Sequence, residues 1–321
     1  MKNKPIILVS GEPRSIFFEI FFKSLKKNSF KSPLVLICCK DLLIKHMKNN
    51  KFDKILKVIK VNELKDKSLN NKSINVIDVK LLKSSNKDKQ NKLSQKYIAE
   101  SFKVAFQILK KDITNKFING PINKKTFLNK KFFGITEYVS SNFNKKRIGM
   151  LIYNKKLSVS PLTTHLPIKM VSQNINKKII VDKIELINNF FKKILKIKPR
   201  IAVTGLNPHC ETILKSNEDE MIVAPAIKTQ KRKGIYVKGP YSADTIFLKK
   251  NRDKFNIILG MYHDQVLGPF KTLFEYDAIN ITMGLPFLRV TPDHGPNEKM
   301  VGKNKSNPQS LIKAIKFLDN K

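Results

Sequence analysis

Tryptophan is absent from this sequence, cysteine occurs three times, histidine five times and arginine six times. Acidic residues are also sparse, 25 against 63 basic ones. Cys38, Cys39 and Cys210 are too few for a disulfide framework and suit a reducing cytosol, so a cytoplasmic location is expected. Cys38 and Cys39 lie in the apolar run PLVLICC, where core packing is their expected role. No apolar stretch approaches the roughly 20 residues that span a bilayer, which excludes a membrane-spanning helix. The short apolar run near the N-terminus flows into Gly11-Glu12-Pro13 and reads as a first strand, not as a signal peptide. The glycine fingerprint GxGxxG is missing, so no dinucleotide-binding signature is present.

The shortage of acid leaves a formal net charge of +38. With only six arginines, 57 of the basic residues are lysines, interleaved with Asn and Ile along the whole chain, as AT-rich coding would produce. Nucleic-acid binders concentrate Arg and Lys on one face and carry recognisable motifs; neither is visible. The charge reads as solvated surface that binds polyanions unspecifically at low salt, with no specific nucleic-acid partner expected.

What is present is a chain of 321 residues with 41% hydrophobic content, long enough for one large or two medium domains and too apolar for disorder. Strand-like runs at 5–10, 33–39, 55–61, 74–79, 116–120, 149–153, 157–162, 201–204 and 235–237 alternate with helical patterns at 16–27, 41–49, 93–111, 179–195, 222–228 and 308–318. Asp41 is expected close to the N-cap of its helix, and 83–92 is expected to be a polar loop. Strands alternating with helices indicate an α/β architecture.

The most informative stretch is 256–295. The apolar run Ile257–Met261 stops at Tyr262-His263-Asp264-Gln265, and a second run, Ala278–Met283, contains Asn280. Buried parallel strands deliver their chemistry at such ends. Three of the five histidines stand at the end of strand-length runs: His165 after LSVSPLTT, His209 after RIAVTGLNP and His263 after NIILGMY. His294 sits in TPDHG, and His46 is expected to be exposed in a lysine-rich helix. Neutral imidazole is a common ligand of divalent metals, and three imidazoles with open positions describe a catalytic site. Hydrogen-bonded loop histidines are the alternative for each. Asp244 and Asp264 are candidates for orienting ligands or handling protons, while Asp244 could equally N-cap the next helix. Lys271, Asn280 and Arg289 are candidate anion-binding residues; Arg289 stands out because arginine is scarce and its fork matches phosphate or carboxylate.

The segments GEP (11–13), GPINK (120–124), TEY (136–138), TTHLP (163–167), GLNPH (205–209), GPYSADT (239–245), YHDQVL (262–267) and NITMGLPFLRVTPDHG (280–295) together resemble the 4-hydroxythreonine-4-phosphate dehydrogenase family of pyridoxal phosphate biosynthesis. The resemblance implies a two-domain α/β fold related to isocitrate and isopropylmalate dehydrogenases, with an active-site cleft between domains. The expected domains are 1–125 plus 296–321, and 126–295. It also implies a homodimer with its site at the subunit boundary, a divalent metal (Zn, Mg or Co) on His165, His209 and His263, and substrate contacts from Thr136, Lys271, Asn280 and Arg289. NAD or NADP is implied by the resemblance alone, with no residue assigned to it. The implied reaction oxidises the secondary alcohol of 4-phosphohydroxy-L-threonine, and the resulting β-keto acid loses carbon dioxide.

The sequence departs from the family pattern at three points. Ile135 stands where histidine usually precedes the Thr of TEY, Ser15-Ile16-Phe17-Phe18-Glu19 replaces Gly-Ile-Gly-Pro-Glu, and Cys210-Glu211-Thr212-Ile213 replaces a glycine-rich loop. These departures widen the expected substrates to other phosphorylated hydroxy acids such as 4-phosphothreonate, and admit a non-catalytic metal- or phosphate-binding relative.

Overall fold

The structure is a computed structural model that describes residues 3–65, 69–123, 127, 132, 134–211, 217–292 and 295–321. Lys124, Thr212, Ile213, Asp293 and His294 lie outside the described residues. In chain order the elements begin with β1 (Ile6–Val9), α1 (Phe17–Lys27), β2 (Leu34–Cys38), α2 (Lys40–Asn49), β3 (Leu56–Val58), β4 (Ile74–Asp78), α3 (Lys87–Lys110), β5 (Lys116–Asn119) and α4 (Ile135–Ser141). They continue with β6 (Gly149–Tyr153), β7 (Ser158–Pro161), α5 (Lys177–Phe190), β8 (Ile201–Thr204), α6 (Ala224–Arg232) and β9 (Val237–Tyr241). The last are β10 (Ile257–Gly260), α7 (His263–Phe274), β11 (Ile279–Met283), β12 (Leu288–Pro292) and α8 (Gln309–Asp319).

The chain forms two compact units, Met1–Phe143 with Pro286–Lys321, and Asn144–Leu285. Residues 134–143 and 286–292, expected in the second domain, cluster with the first. The reason is aromatic packing and strand pairing. Tyr138 of α4 sits edge-on to Phe102 (5.6 Å), Phe143 packs on Phe287 (4.7 Å), and β12 pairs with β5.

In the first unit the strand order is β3-β4-β2-β1-β5-β12, and every pairing is parallel. Parallel sheets are covered on both faces, so their strands read as unbroken apolar runs. Ile6, Ile7, Leu8 and Val9 are accordingly fully buried. Helix α1 turns Phe17, Phe18, Ile20, Phe21 and Phe22 inward. Cys38 and Cys39 are buried and unbridged. Gly11 has φ +77, and a Cβ there would lie 2.3 Å from the Pro121 carbonyl oxygen, so the turn after β1 requires glycine.

Asp41 lies close to the N-cap of α2, as expected, in the first turn two residues after the cap Cys39; Asp78 at the end of β4 accepts from the Lys40 backbone N–H at 2.8 Å. Two local expectations differ from the structure. The polar segment 83–92 is helical from Lys87 onward, because Asn86 caps α3 by accepting from the Lys89 N–H at 3.0 Å. His46 is half-buried against the Phe18 ring at 4.9 Å, and burial lowers its pKa.

In the second unit the order is β11-β6-β7-β10-β8-β9. β6 runs antiparallel to both β11 and β7, whereas β7, β10, β8 and β9 are mutually parallel. Its core includes Ile152, Val159, Ala202, Ile258, Val266 and Phe270. No helix among the described residues is long and apolar enough to cross a membrane.

Candidate active site

Three adjacent parallel strands of the second unit, β7, β10 and β8, carry His165, His263 and His209 beyond their C-terminal ends. After β7 the chain stays zipped to its neighbour. Leu162 N–H donates to the Gly260 carbonyl at 2.7 Å, and the Thr163 hydroxyl donates to the Met261 carbonyl at 2.8 Å. His165 follows two residues later and is exposed. β10 passes through Met261 and Tyr262 into α7, which begins at His263. The His165 and His263 ring centroids are 6.1 Å apart with a 36° tilt. His263 Nδ1 is 2.6 Å from Asp264 Oδ1, so the carboxylate engages that ring nitrogen and not Nε2.

β8 leads into the loop Gly205–Cys210, which carries His209 on its exposed rim. His209 and Cys210 have φ of +57 and +62, a left-handed pair without glycine. Burial raises the Cys210 thiol pKa. Among the described residues, no group of three or more His, Cys, Asp or Glu side chains is gathered as a metal site within this chain. The chemistry of the donor set nevertheless fits a divalent metal. Two imidazoles face one another across a short gap, one of them oriented by a carboxylate, and a third is presented on the neighbouring strand end.

Asp244 is exposed and lies in the short helix Ala243–Ile246, whose N-cap is Ser242; it is therefore not the cap. Lys271 lies half-buried in α7, with its pKa lowered by desolvation. Asn280 lies within β11, and its amide approaches Met150 Sδ at 3.5 Å.

The first unit buries Arg289 to 2% exposure on β12. Its Nε donates to Asn119 Oδ1 at 2.9 Å, and an amino group donates to Thr136 Oγ1 at 3.1 Å. Desolvation lowers its pKa to about 10, with the Glu137 carboxylate opposing that shift. Glu137 Oε2 is buried and has no hydrogen-bond partner among the described residues. Arg289 and Thr136, both implied as substrate residues, are thus in direct contact. At the end of β1, Glu12 has its pKa raised by burial, with Glu298 adding to the effect.

The pattern in the sequence assigned no role to Asn119, Glu137, Asp219 or Gln265. Gln265 was visible in YHDQVL, but nothing local indicates what its amide holds. Asn119 and Glu137 acquire meaning only when β5 and α4 are set beside β12.

The family model for the pyridoxal phosphate biosynthetic protein PdxA matches residues 30–318. The chain belongs to the PdxA family. The 4-hydroxythreonine-4-phosphate dehydrogenase of Sulfurihydrogenibium sp. (strain YO3AOP1) is 36% identical over 319 residues, covering 97% of this chain and 96% of that protein. A D-threonate 4-phosphate dehydrogenase of Pectobacterium atrosepticum is 30% identical over 327 residues, covering 98% of each. The crystal structure of 4-hydroxythreonine-4-phosphate dehydrogenase from Klebsiella pneumoniae superposes with a TM-score of 0.84 at 29% identity, covering 98% of this chain and 97% of that one. These PdxA-family relatives are dehydrogenases, which places the chain among the oxidoreductases.

Proposed function

We propose that the chain oxidises 4-phosphohydroxy-L-threonine in pyridoxal phosphate biosynthesis, using NAD or NADP and a divalent metal, as a cytoplasmic homodimer. The observation that carries this reading is the near full-length 36% identity to a relative of that activity, in a chain that sets three histidines on adjacent strand ends.

His165, His209 and His263 would hold the metal. His165 and His209 are exposed beyond the ends of their strands. When bound, the metal would supply Lewis acidity toward the substrate hydroxyl, and a nicotinamide would supply the hydride-accepting capacity. Asp264 fixes the tautomer and orientation of His263. Asp244 is assigned to carrying the hydroxyl proton to solvent. Thr136, Lys271, Asn280 and Arg289 bind the substrate, with the two cations matched to phosphate and carboxylate. The lowered pKa of Lys271 reflects desolvation that an anion would relieve. The product is a ketone β to the carboxylate, so it loses carbon dioxide to give 3-amino-2-oxopropyl phosphate.

A second reading, oxidation of 4-phosphothreonate, is favoured by Ile135 and by the similar coverage of the D-threonate 4-phosphate dehydrogenase relative. Both readings keep the metal, the nicotinamide and the phosphate. Comparing kcat/KM on the two substrates by NADH absorbance separates them. The first reading expects 4-phosphohydroxy-L-threonine to be preferred by at least about tenfold, corresponding to about 1.4 kcal/mol. The reverse preference would replace it with the second.

A further inference from the structure

We propose that Asp219 and Gln265 are positioning residues that hold the His209 loop in its ligand-presenting form; this rests on the reading of His209 as a metal ligand. Two consecutive left-handed residues without glycine, His209 and Cys210, are stable only where the surroundings over-determine them. The determinants are visible in the hydrogen bonds. Asp219 is 1% exposed, at the start of the wide helical turn Asp219–Val223. Its Oδ1 accepts from Leu206 N–H at 2.6 Å, and its Oδ2 accepts from Asn207 N–H at 3.0 Å and from the Asn207 side-chain amide at 3.1 Å. Glu218 Oε2 accepts from the same amide at 3.0 Å. No cation pairs with Asp219 among the described residues. A buried carboxylate is costly unless its lone pairs are satisfied, and here the loop itself satisfies them. A Cβ on Gly205 would lie 2.9 Å from Asp219 Oδ1 and 2.7 Å from Cys210 Sγ, so glycine is what lets the carboxylate approach the root of the loop.

Gln265 secures the same root from the other side. It is 7% exposed in the first turn of α7, two residues after His263. Its Nε2 donates to the Gly205 carbonyl at 2.7 Å, while its Oε1 accepts from the Met261 N–H at 2.7 Å and from the Thr204 hydroxyl at 2.8 Å. One side chain therefore ties the end of β8, where the His209 loop begins, to the end of β10, where His263 begins. The two residues fix the spacing between two imidazole-bearing strand ends without touching a ligand themselves.

The test uses the full-length protein stripped of metal and titrated with Co2+ against a chromophoric chelator. Asp219→Asn keeps the shape but aims an amide N–H at a backbone donor, and Gln265→Glu sets an oxygen against the Gly205 carbonyl. Each is expected to weaken Co2+ binding by about 10- to 100-fold, as removal of outer-shell partners does, and to change the visible Co2+ spectrum, which a mere loss of stability would leave intact in the folded fraction. Wild-type affinity and spectrum in both variants would overturn the proposal. Should Asp219→Asn fail to fold, Gln265→Glu alone decides. If His209→Ala binds Co2+ as the wild type does, or the wild type binds none, the metal reading fails and this assignment falls with it.

Discussion

Arg289 is the side chain with the most at stake. It is one of six arginines, it is 2% exposed, and its guanidinium is held by Asn119 and Thr136. A charge-assisted hydrogen bond is worth about 1.5–3 kcal/mol, and lysine keeps the charge but loses the fork. Arg289→Lys should therefore raise KM for phosphorylated substrate by about tenfold or more, whereas the exposed Lys250→Ala should leave KM unchanged. Unchanged kinetics in Arg289→Lys would remove it from substrate binding. His46 gives a stability prediction. Burial depresses its folded-state pKa below the ordinary 6.5, so the unfolded chain binds the proton more readily. Above 6.5 the imidazole is neutral in both states and costs nothing; as pH falls through 6.5 toward the lowered folded value, stability is lost. His46→Phe should flatten the fall in melting temperature between about pH 7.5 and 5.5. An equal fall in both proteins would show that His46 is not a source of acid sensitivity. At this scale, Arg289 was conspicuous in the sequence because arginine is scarce. Its partners Asn119 and Glu137 were not, since the buried cluster joins residues about 150 to 170 positions apart and leaves no local periodicity.

Element by element, strands were read more reliably than helix starts. Ile201–Thr204 is a strand over the expected residues, and Gly149–Tyr153 likewise, because apolar runs mark buried strands directly. Helix α3 starts well before its apolar stripe, since its first turns are charged and solvent-facing and only Asn86 announces them. Asn86→Ala should cost about 1 kcal/mol, seen as a melting temperature about 2–4 °C lower. Asp41→Ala, at a residue that caps nothing, should change stability by less than about 0.5 kcal/mol. Equal effects would mean that Asn86 does not act as a cap. The strand β12 was missed because Leu-Pro-Phe-Leu reads as a turn, and its pairing with β5 is what organises it.

For the whole molecule, the α/β architecture and the family were legible, because alternating elements and eight ordered motifs run along most of the chain. The division into units was less so. Residues 134–143 carry no boundary signal, and what draws them to the first unit is an aromatic cluster assembled only on folding. The proposed homodimer predicts a light-scattering mass of twice the 36.9 kDa chain at micromolar concentration in moderate salt. The single-chain mass under those conditions would contradict it. The net charge of +38 makes low salt unsuitable, since unspecific association would obscure the result.

The central claim is metal-assisted oxidation of a phosphorylated hydroxy amino acid, and the rate of NADH formation on 4-phosphohydroxy-L-threonine tests it most directly. The account predicts a steady absorbance rise that falls to background after chelation and returns when zinc, magnesium or cobalt is restored. A rate indifferent to chelation, or no NADH under any of these conditions with either phosphorylated substrate, would contradict it.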